Sequence, residues 1–501
     1  MSLFVLLAAA VLAPADPAGP AAQQPAADRP ADARPNVVVI LADDMGWGDL
    51  GANNPDSKIP TPHLDELAAR GLRLTDAHSP AAWCTPTRYS LLTGRYSRRG
   101  RPWDWNERPQ IPEGTPTLGS VFADAGYRTA MVGKWHLGFE GPDGKPLSEE
   151  RTGEHRGGPV DRGFADYFGI PASLDIPPYY FLHHRAAVDP PSRHVADSAS
   201  PGWSPIQGNF WRAGGSAPAF EHQKVLPAFR DAAVAAVTNP TKMGEPFMLY
   251  VTLASPHTPW AVKGDPADYQ GGVGLYGQFV HETDAAVGTI LAALDEAGMT
   301  ENTLVVFTSD NGPVWYDEDE AQYGHASAGP YRGMKGDAWE GGHRVPFFVA
   351  GPGVAGLGVA GGTSDALTLH TDLLPTLAAA CGVDLPAGAA PDGVNQWPVW
   401  SGQTSTAPRT EALLEATGER DFVRLDDAEG RWKLIPWRGS GGFSKPKIER
   451  PQPGEPVGQL YNLATDPGER DNRYDDRPEK VAALTAALKR LQATSAPAEA
   501  N

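Results

Sequence analysis

Asn36-Val37-Val38-Val39-Ile40-Leu41-Ala42 is an unbroken apolar run of strand length, and it constrains the fold more than any other segment. A half-buried strand alternates apolar and polar residues. A run with no polar face belongs to a strand covered on both sides, as in the centre of a parallel sheet. This one ends in Asp43-Asp44. The same grammar recurs at 127–133, 247–254 and 303–309, which lead to Lys134-Trp135-His136, Ser255-Pro256-His257 and Asp310-Asn311-Gly312. Thr61-Pro62 opens a helix stopped by Gly71, and 117–125 reads as another stopped by Gly126. Phe279, Val280, Val287, Ile290, Leu291 and Leu294 mark one face of a longer helix. Alternating strands and helices predict a doubly wound, mostly parallel α/β sheet, whose ligands bind beyond the carboxyl ends of the strands. The polar residues above fall at those ends.

From about residue 385 the pattern changes to short strands at 421–425 and 432–435. A last helix, 478–491, carries Val481, Leu484, Leu488 and Leu491 on one face, which predicts a smaller antiparallel α+β subdomain. The stretch 139–224 lacks periodicity and is rich in Gly, Pro, Trp and His, so it reads as insertion loops that shape a pocket. The predicted organisation is therefore a catalytic α/β domain over 36–384 and a C-terminal antiparallel sheet plus helix over 385–495. Residues 3–13 are apolar but too short to cross a bilayer, and Ala13-Pro14-Ala15 is a small-x-small cleavage pattern. Residues 1–15 read as a signal peptide and 16–35 as a flexible lead-in, so the chain is expected to be exported, periplasmic or extracellular, with no transmembrane segment.

A net charge of −19 argues against nucleic acid as a partner, because phosphate backbones would be repelled. Salt screens that field beyond about 8 Å, so a few local cations can still hold one anionic ester. The run Cys84-Thr85-Pro86-Thr87-Arg88 provides such a place. Pro86 suits a first helical turn, which puts Cys84 near the helix start, Arg88 one turn along on the same face and Gly94 at the stop. Free amides, the positive end of the helix dipole and a guanidinium then make a pocket for a tetrahedral anion. Read alone, Cys84 more simply suits a packed cysteine, and a disulfide with Cys381, the only other cysteine, is a lesser alternative. Cys381 itself reads as core packing at the end of a helix over 372–380.

Asp43, Asp44, Asp310 and Asn311 are oxygen donors at two strand ends, a set that suits a hard divalent cation, although Asp and Asn are also common turn residues there. Lys134 and His136 straddle Trp135 and point to one side if the extended backbone continues.

Cys84-Thr85-Pro86-Thr87-Arg88, with its Leu91-Leu92-Thr93-Gly94-Arg95 tail, resembles the hallmark of the type I, formylglycine-dependent, arylsulfatase-like sulfatases of the alkaline phosphatase superfamily. Gly133-Lys134-Trp135-His136-Leu137-Gly138, Pro256-His257-Thr258-Pro259, the block from Gly333 to Pro346 and the late Gln459-Leu460-Tyr461-Asn462-Leu463 are similar to further family segments, so the resemblance spans nearly the whole chain. It implies an alkaline phosphatase-like fold and hydrolysis of sulfate monoesters through a covalent sulfo-enzyme intermediate. Cys84 would be converted to formylglycine (3-oxoalanine) by a formylglycine-generating enzyme, and its aldehyde hydrate would be the nucleophile. The same resemblance makes Asp43, Asp44, Asp310, Asn311 and residue 84 the ligands of Ca²⁺, with Mg²⁺ also compatible. It makes Arg88, Lys134 and Lys335 the sulfate contacts, His136 the group that assists the nucleophile or the breakdown of the intermediate, and His257 the partner of the leaving oxygen. Glu340 and Arg344 read as structural braces. Trp103, Trp105, Trp203, Trp211, Trp260 and Trp315 could offer surfaces to a sulfated carbohydrate. The competing readings are a phosphomonoester or phosphonate hydrolase of the same superfamily and a non-catalytic binder of sulfated glycans.

Overall fold

The computed structural model describes residues 34–496, apart from 105–107, 142–153, 201–203, 205, 240–244, 265–268 and 355–361. The 1–15 signal peptide, most of the lead-in, Trp105 and Trp203 lie outside the described residues.

The apolar run forms strand β1 (Asn36–Asp43), and all eight of its residues are buried. It takes the middle of a ten-stranded sheet with β2 (Leu72–Leu74), β3 (Arg128–Lys134), β4 (Asp166–Ile170), β5 (Leu182–His183), β6 (Ala186–Ala187), β7 (Phe247–Pro256), β8 (Thr303–Ser309), β9 (Phe347–Ala350) and β10 (Gly362–Ser364). The order is β10-β2-β9-β8-β1-β7-β3-β4-β5-β6. The five strands from β8 to β4 run parallel, and antiparallel pairs begin on either side. Among the described residues the smaller sheet is fully antiparallel, in the order β11 (Glu411–Ala416), β12 (Arg420–Asp427), β13 (Gly430–Ile435) and β14 (Gln459–Asn462).

Helices cover these sheets with the faces the sequence marks. In α5 (Gly274–Glu296), Phe279, Val280, Val287, Ile290 and Leu294 are at most 1% exposed, a burial worth about 1.5–3 kcal/mol for each side chain. Its Asp284 also caps a neighbour. Thr61 gives α1 (Pro62–Arg70) no side-chain cap, and the first amides, of His63 and Leu64, donate instead to the Asp284 carboxylate at 3.3 and 2.8 Å. Burial pushes that carboxyl up to about 6. Further helices include α2 (Cys84–Thr93), α3 (Leu118–Asp124), α4 (Val225–Thr238) and α6 (Leu373–Ala380), and α7 (Pro478–Thr494) lays Leu484, Ala487, Leu488 and Leu491 on the small sheet. Two apolar cores result. The second gathers Tyr96, Trp339, Leu367 and Leu369 around the small sheet, so residues before 385 share in it.

The region 139–224 departs from the loop expectation. Asp166–Ile170 is a parallel strand beside β3, and β5 and β6 extend the sheet past it. Tyr167, Gly169 and Ile170 are buried while Asp166 is exposed and Phe168 partly covered, and with Gly169 lacking a side chain Asp166-Tyr167-Phe168-Gly169-Ile170 shows no clear strand period. Cys84 and Cys381 are both buried free thiols, which removes the disulfide alternative; Cys381 packs in the main core.

Candidate active site

Register brings the strand ends into one row. Ala42 lies opposite Ser309, Asp43 opposite Pro256, and Thr252 opposite Gly133. Asp43, Lys134, His257 and Asp310 therefore emerge together beyond the carboxyl end of the sheet, where the connections diverge. Gly133 is required for this: its φ is +123° and a Cβ there would sit 1.9 Å from the Thr252 carbonyl oxygen.

Helix α2 delivers Cys84 and Arg88 from above. Every residue of α2 is buried, Trp83 at its N-cap offers no side-chain cap, and Gly94 ends it in the left-handed conformation with its N–H on Ser90 O at 2.9 Å. Arg88 lies one turn along from Cys84. Its Nη2 and Nε donate to Asp310 Oδ2 at 2.7 and 3.1 Å, and its Nη1 donates to the Lys134 carbonyl at 3.1 Å. Burial opposes the charge of Arg88, but Asp310 and Asp43 outweigh it and raise its pKa. Lys134 Nζ donates to Asp43 Oδ2 at 2.6 Å, and Lys335 Nζ lies 2.7 Å from Asp44 Oδ1.

The backbone does not stay extended past Lys134. His136 has φ of +56°, so the turn, rather than strand alternation, brings its ring to the site. Its Nδ1 is 3.3 Å from Cys84 Sγ. Burial, Lys134 and Arg88 hold that imidazole well below its usual range, in the neutral form. Burial likewise pushes the Cys84 thiol up, even though Lys134 and Lys335 pull it down; Asp310 and Asp43 add to the rise. His257 Nδ1 donates to the Thr258 carbonyl at 2.6 Å, since a carbonyl only accepts, and its Nε2 lies 3.6 Å from Asp44 Oδ2.

The acidic corner tests the cation expectation. Asp43, Asp44 and His257 each bring a ligand atom within 4.8 Å of the others. Asp43 Oδ1 and Asn311 Oδ1 are buried and accept no hydrogen bond, and Asn311 Nδ2 holds Asp44 Oδ1 at 2.6 Å. Burial and Asp43 push the Asp310 carboxyl up to about 6, whereas Asp43 itself, despite its burial, is held well below the usual range by Lys134, His257 and Arg88. Crowded carboxylates with open oxygens are the donor set of a hard divalent cation. The residues present fit one.

All the sequence-predicted site residues thus converge: Asp43, Asp44, Cys84, Arg88, Lys134, His136, His257, Asp310, Asn311 and Lys335. Cys84, His136, His257 and Lys335 line a cavity of about 280 Å³. Ser173, its Oγ 3.5 Å from His136 Nδ1, and Asp175 line it too, and neither carries a sequence signal that singles it out. Of the described tryptophans, Trp260 and Trp83 reach the cavity. Trp103 packs edge-on against Trp83 and Tyr89, Trp211 stacks on His222, and Trp315 is buried against Tyr276. Glu340 and Arg344 stand apart from the cavity, in a buried cluster against the small sheet.

The sulfatase family model matches residues 35–383. This chain belongs to the sulfatase family. It is a sulfuric ester hydrolase, with the family's α/β fold and smaller C-terminal antiparallel sheet. Human arylsulfatase A is 34% identical over 93% of this chain and 88% of its own length. An N-acetylgalactosamine-6-O-sulfatase of Bacteroides thetaiotaomicron is 30% identical over 92% of this chain and 93% of its own. A solved Bacteroides thetaiotaomicron sulfatase, described with the metabolism of multiple glycosaminoglycans, superposes with a TM-score of 0.79 at 29% identity, covering 92% of this sulfatase and all of that chain. Among the described residues no helix is long and apolar enough to cross a membrane.

Proposed function

We propose that this sulfatase removes sulfate from a sulfated carbohydrate, with formylglycine made from Cys84 as its nucleophile. Asp43, Asp44, Asp310, Asn311 and residue 84 would hold Ca²⁺, and Mg²⁺ meets the same oxygen chemistry. The hydrated aldehyde, when present, supplies one hydroxyl for attack on sulfur and a second that allows sulfate to be expelled.

The chain's own side chains do the rest. Arg88, Lys134 and Lys335 meet the charge that grows on the sulfuryl oxygens; their carboxylate partners fix them in advance, so little reorganisation is needed when the charge develops. Three cations oppose the three carboxylates of Asp43, Asp44 and Asp310, which leaves room for the paired charges of a cation and a sulfate. His136, held neutral, is in the state to take a proton at residue 84. His257 commits its Nδ1 proton to Thr258, so Nε2 is the atom through which it serves the leaving oxygen, together with Lys335. The convergence of Arg88, Lys134, His136 and Lys335 on residue 84 carries this reading.

Export, by a signal over 1–15 and a lead-in to 35, fits an enzyme that meets glycans outside the cytoplasm, with 36–384 as the catalytic part and 385–495 as its C-terminal cap. The test is coexpression with a formylglycine-generating enzyme, mass spectrometry of the peptide that holds residue 84, and parallel assays on sulfated sugars, 4-nitrophenyl sulfate and 4-nitrophenyl phosphate. Sulfate release that tracks formylglycine content is expected. Full activity with unmodified Cys84, or a preference for the phosphate ester, overturns the reading.

A further inference from the structure

We propose that Asp175 reads the leaving group: its unengaged carboxylate oxygen accepts a hydrogen bond from a hydroxyl next to the scissile ester, and so favours a neutral, polyhydroxylated sugar over an aryl alcohol. The proposal deepens the reading of the cavity as the sulfate-ester site and rests on it.

Asp175 follows β4 in the loop that also carries Ser173, and it lines the same cavity as Cys84 and His257. Its side chain is only 7% exposed, yet Oδ1 accepts no hydrogen bond. The other oxygen is taken by the Arg212 guanidinium, and the Arg212 backbone N–H donates to the Asp175 carbonyl at 3.1 Å. Arg212 is itself seated over the Phe210 ring at 5.2 Å. The carboxylate is therefore clamped from one side, with Oδ1 turned toward His257, 3.9 Å from Nδ1.

His257 is not the missing donor. Its Nδ1 proton is committed to the Thr258 carbonyl, and among the described residues no N–H or O–H donates to Asp175 Oδ1. A buried carboxylate oxygen without a donor is costly, and a group that arrives with the substrate can supply one. His257 marks the side from which the alcohol departs, so the donor that Oδ1 meets belongs to that alcohol. A sugar places hydroxyls on the carbons around its ester, whereas a simple aryl sulfate places ring carbon there. The same carboxylate repels a uronate or a second sulfate at that position, because the charge of Arg212 is already spent on Oδ2. A site built around a hydrogen-bonding substrate group discriminates more sharply than an apolar pocket can, since its absence strands the buried partner.

The test uses formylglycine-bearing enzyme with N-acetylgalactosamine 6-sulfate, galactose 6-sulfate and 4-nitrophenyl sulfate. Asp175→Ala is expected to lower kcat/KM on the preferred sugar sulfate by on the order of 10- to 100-fold, mainly through KM. The loss on 4-nitrophenyl sulfate should be at least about tenfold smaller. The isosteric Asp175→Asn keeps a weaker, neutral acceptor and should fall between wild type and alanine; it carries the test alone if the alanine variant does not fold. Equal losses on sugar and aryl substrates, or no loss on the sugar, overturn the proposal. Wild-type enzyme that cleaves 4-nitrophenyl sulfate but neither sugar sulfate overturns it too and leaves the sulfatase site standing. Formylglycine-bearing enzyme that releases sulfate from none of the three overturns the reading of the site itself.

Discussion

Two buried clusters of charge lie at opposite duties in this molecule, and they differ in how their oxygens are matched. Where the large sheet meets the small one, Asp76 Oδ1 accepts from His78, Arg344 and Arg424 at 2.7–2.8 Å, and Oδ2 pairs with Arg424 at 2.5 Å. Glu340 accepts from Lys433 at 3.0 Å and from Arg344 at 2.8 Å. His78, Glu340 and His343 are close enough together to suggest a second metal site, but Lys433 Nζ sits 3.0 Å from both Glu340 Oε1 and His343 Nε2, where such an ion would lie. At the carboxyl end of β1 the match is incomplete: Asp43 Oδ1 and Asn311 Oδ1 have no donor and the Asp310 carboxyl is pushed up to about 6 by burial and Asp43. Charge density alone does not mark a working site. What separates the two is the pairing of their crowded carboxylates: each oxygen of Asp76 and Glu340 has a cationic partner, whereas Asp43 Oδ1 at the strand end has none.

The contrast can be broken most directly at residue 84. Cys84→Ala should reduce sulfate release by at least about 10⁴-fold, ~5.5 kcal/mol in the barrier, with the unfolding midpoint close to that of wild type. Cys84→Ser should retain activity only in a host whose maturation system acts on serine, read by mass spectrometry of that peptide. Next in size is a paired substitution measured by urea unfolding in chelator. Glu340→Ala should cost about 3 kcal/mol, because Lys433 and Arg344 each lose one of their two buried carboxylate partners and keep only Glu469 and Asp76. Asp310→Asn should cost less, about 1–2 kcal/mol, while removing turnover, since it thins a crowded group of carboxylates and its amide oxygen can still accept from Arg88. Similar costs at the two places would erase the distinction drawn above.

Ca²⁺ supplied at a hundredfold excess over its dissociation constant should raise the stability of the chelator-treated protein by about 2.7 kcal/mol, and Asp43→Asn should abolish that gain. The smallest effect concerns Glu469, whose carboxyl is pushed up to about 7 by burial and by Glu340, against the pull of Lys433. A raised folded-state pKa means that the folded protein binds the extra proton. The stability it contributes is complete below about pH 4.3 and is lost as pH rises through about 7. Glu469→Gln should flatten the decline in unfolding free energy between pH 5 and 8 by up to about 2.5 kcal/mol, measured by urea unfolding across that range.

Much of the working corner can be read from the chain because each part ends a strand. Unbroken apolar runs announce β1, β7 and β8, and the polar residues that follow each run are the ones that converge. The route by which His136 arrives is less legible: a left-handed residue after Lys134 brings it in, where alternation along a strand predicted the same destination by a different path. Asp175 and Ser173 are hidden because the strand before them, β4, is short and only partly covered, and nothing in Gly169-Ile170-Pro171 marks it as part of the sheet. Of the bracing cluster, Glu340 and Arg344 are legible as braces and their distant partners are not. Asp76 and Arg424 are 348 positions apart in the chain, and no local pattern pairs an isolated aspartate with an isolated arginine at that distance.

The strand β11 holds the approach to helix α2 in place. Ala82 N–H donates to the Glu415 carbonyl, Glu415 N–H donates to Pro80, and the turn before Asp337 is tied in by Gly336 on Ala82 and Thr417 on Gly336. During synthesis, more than three hundred residues separate the emergence of position 84 from that of its latch. At ~5–20 residues per second this is a delay on the order of tens of seconds. For that interval the loop that Glu415 will latch stands open, so any enzyme that must act on residue 84 has a clock set by the distance along the chain to Glu415. Moving the C-terminal strand earlier by circular permutation would shorten the clock without touching a single side chain of the site.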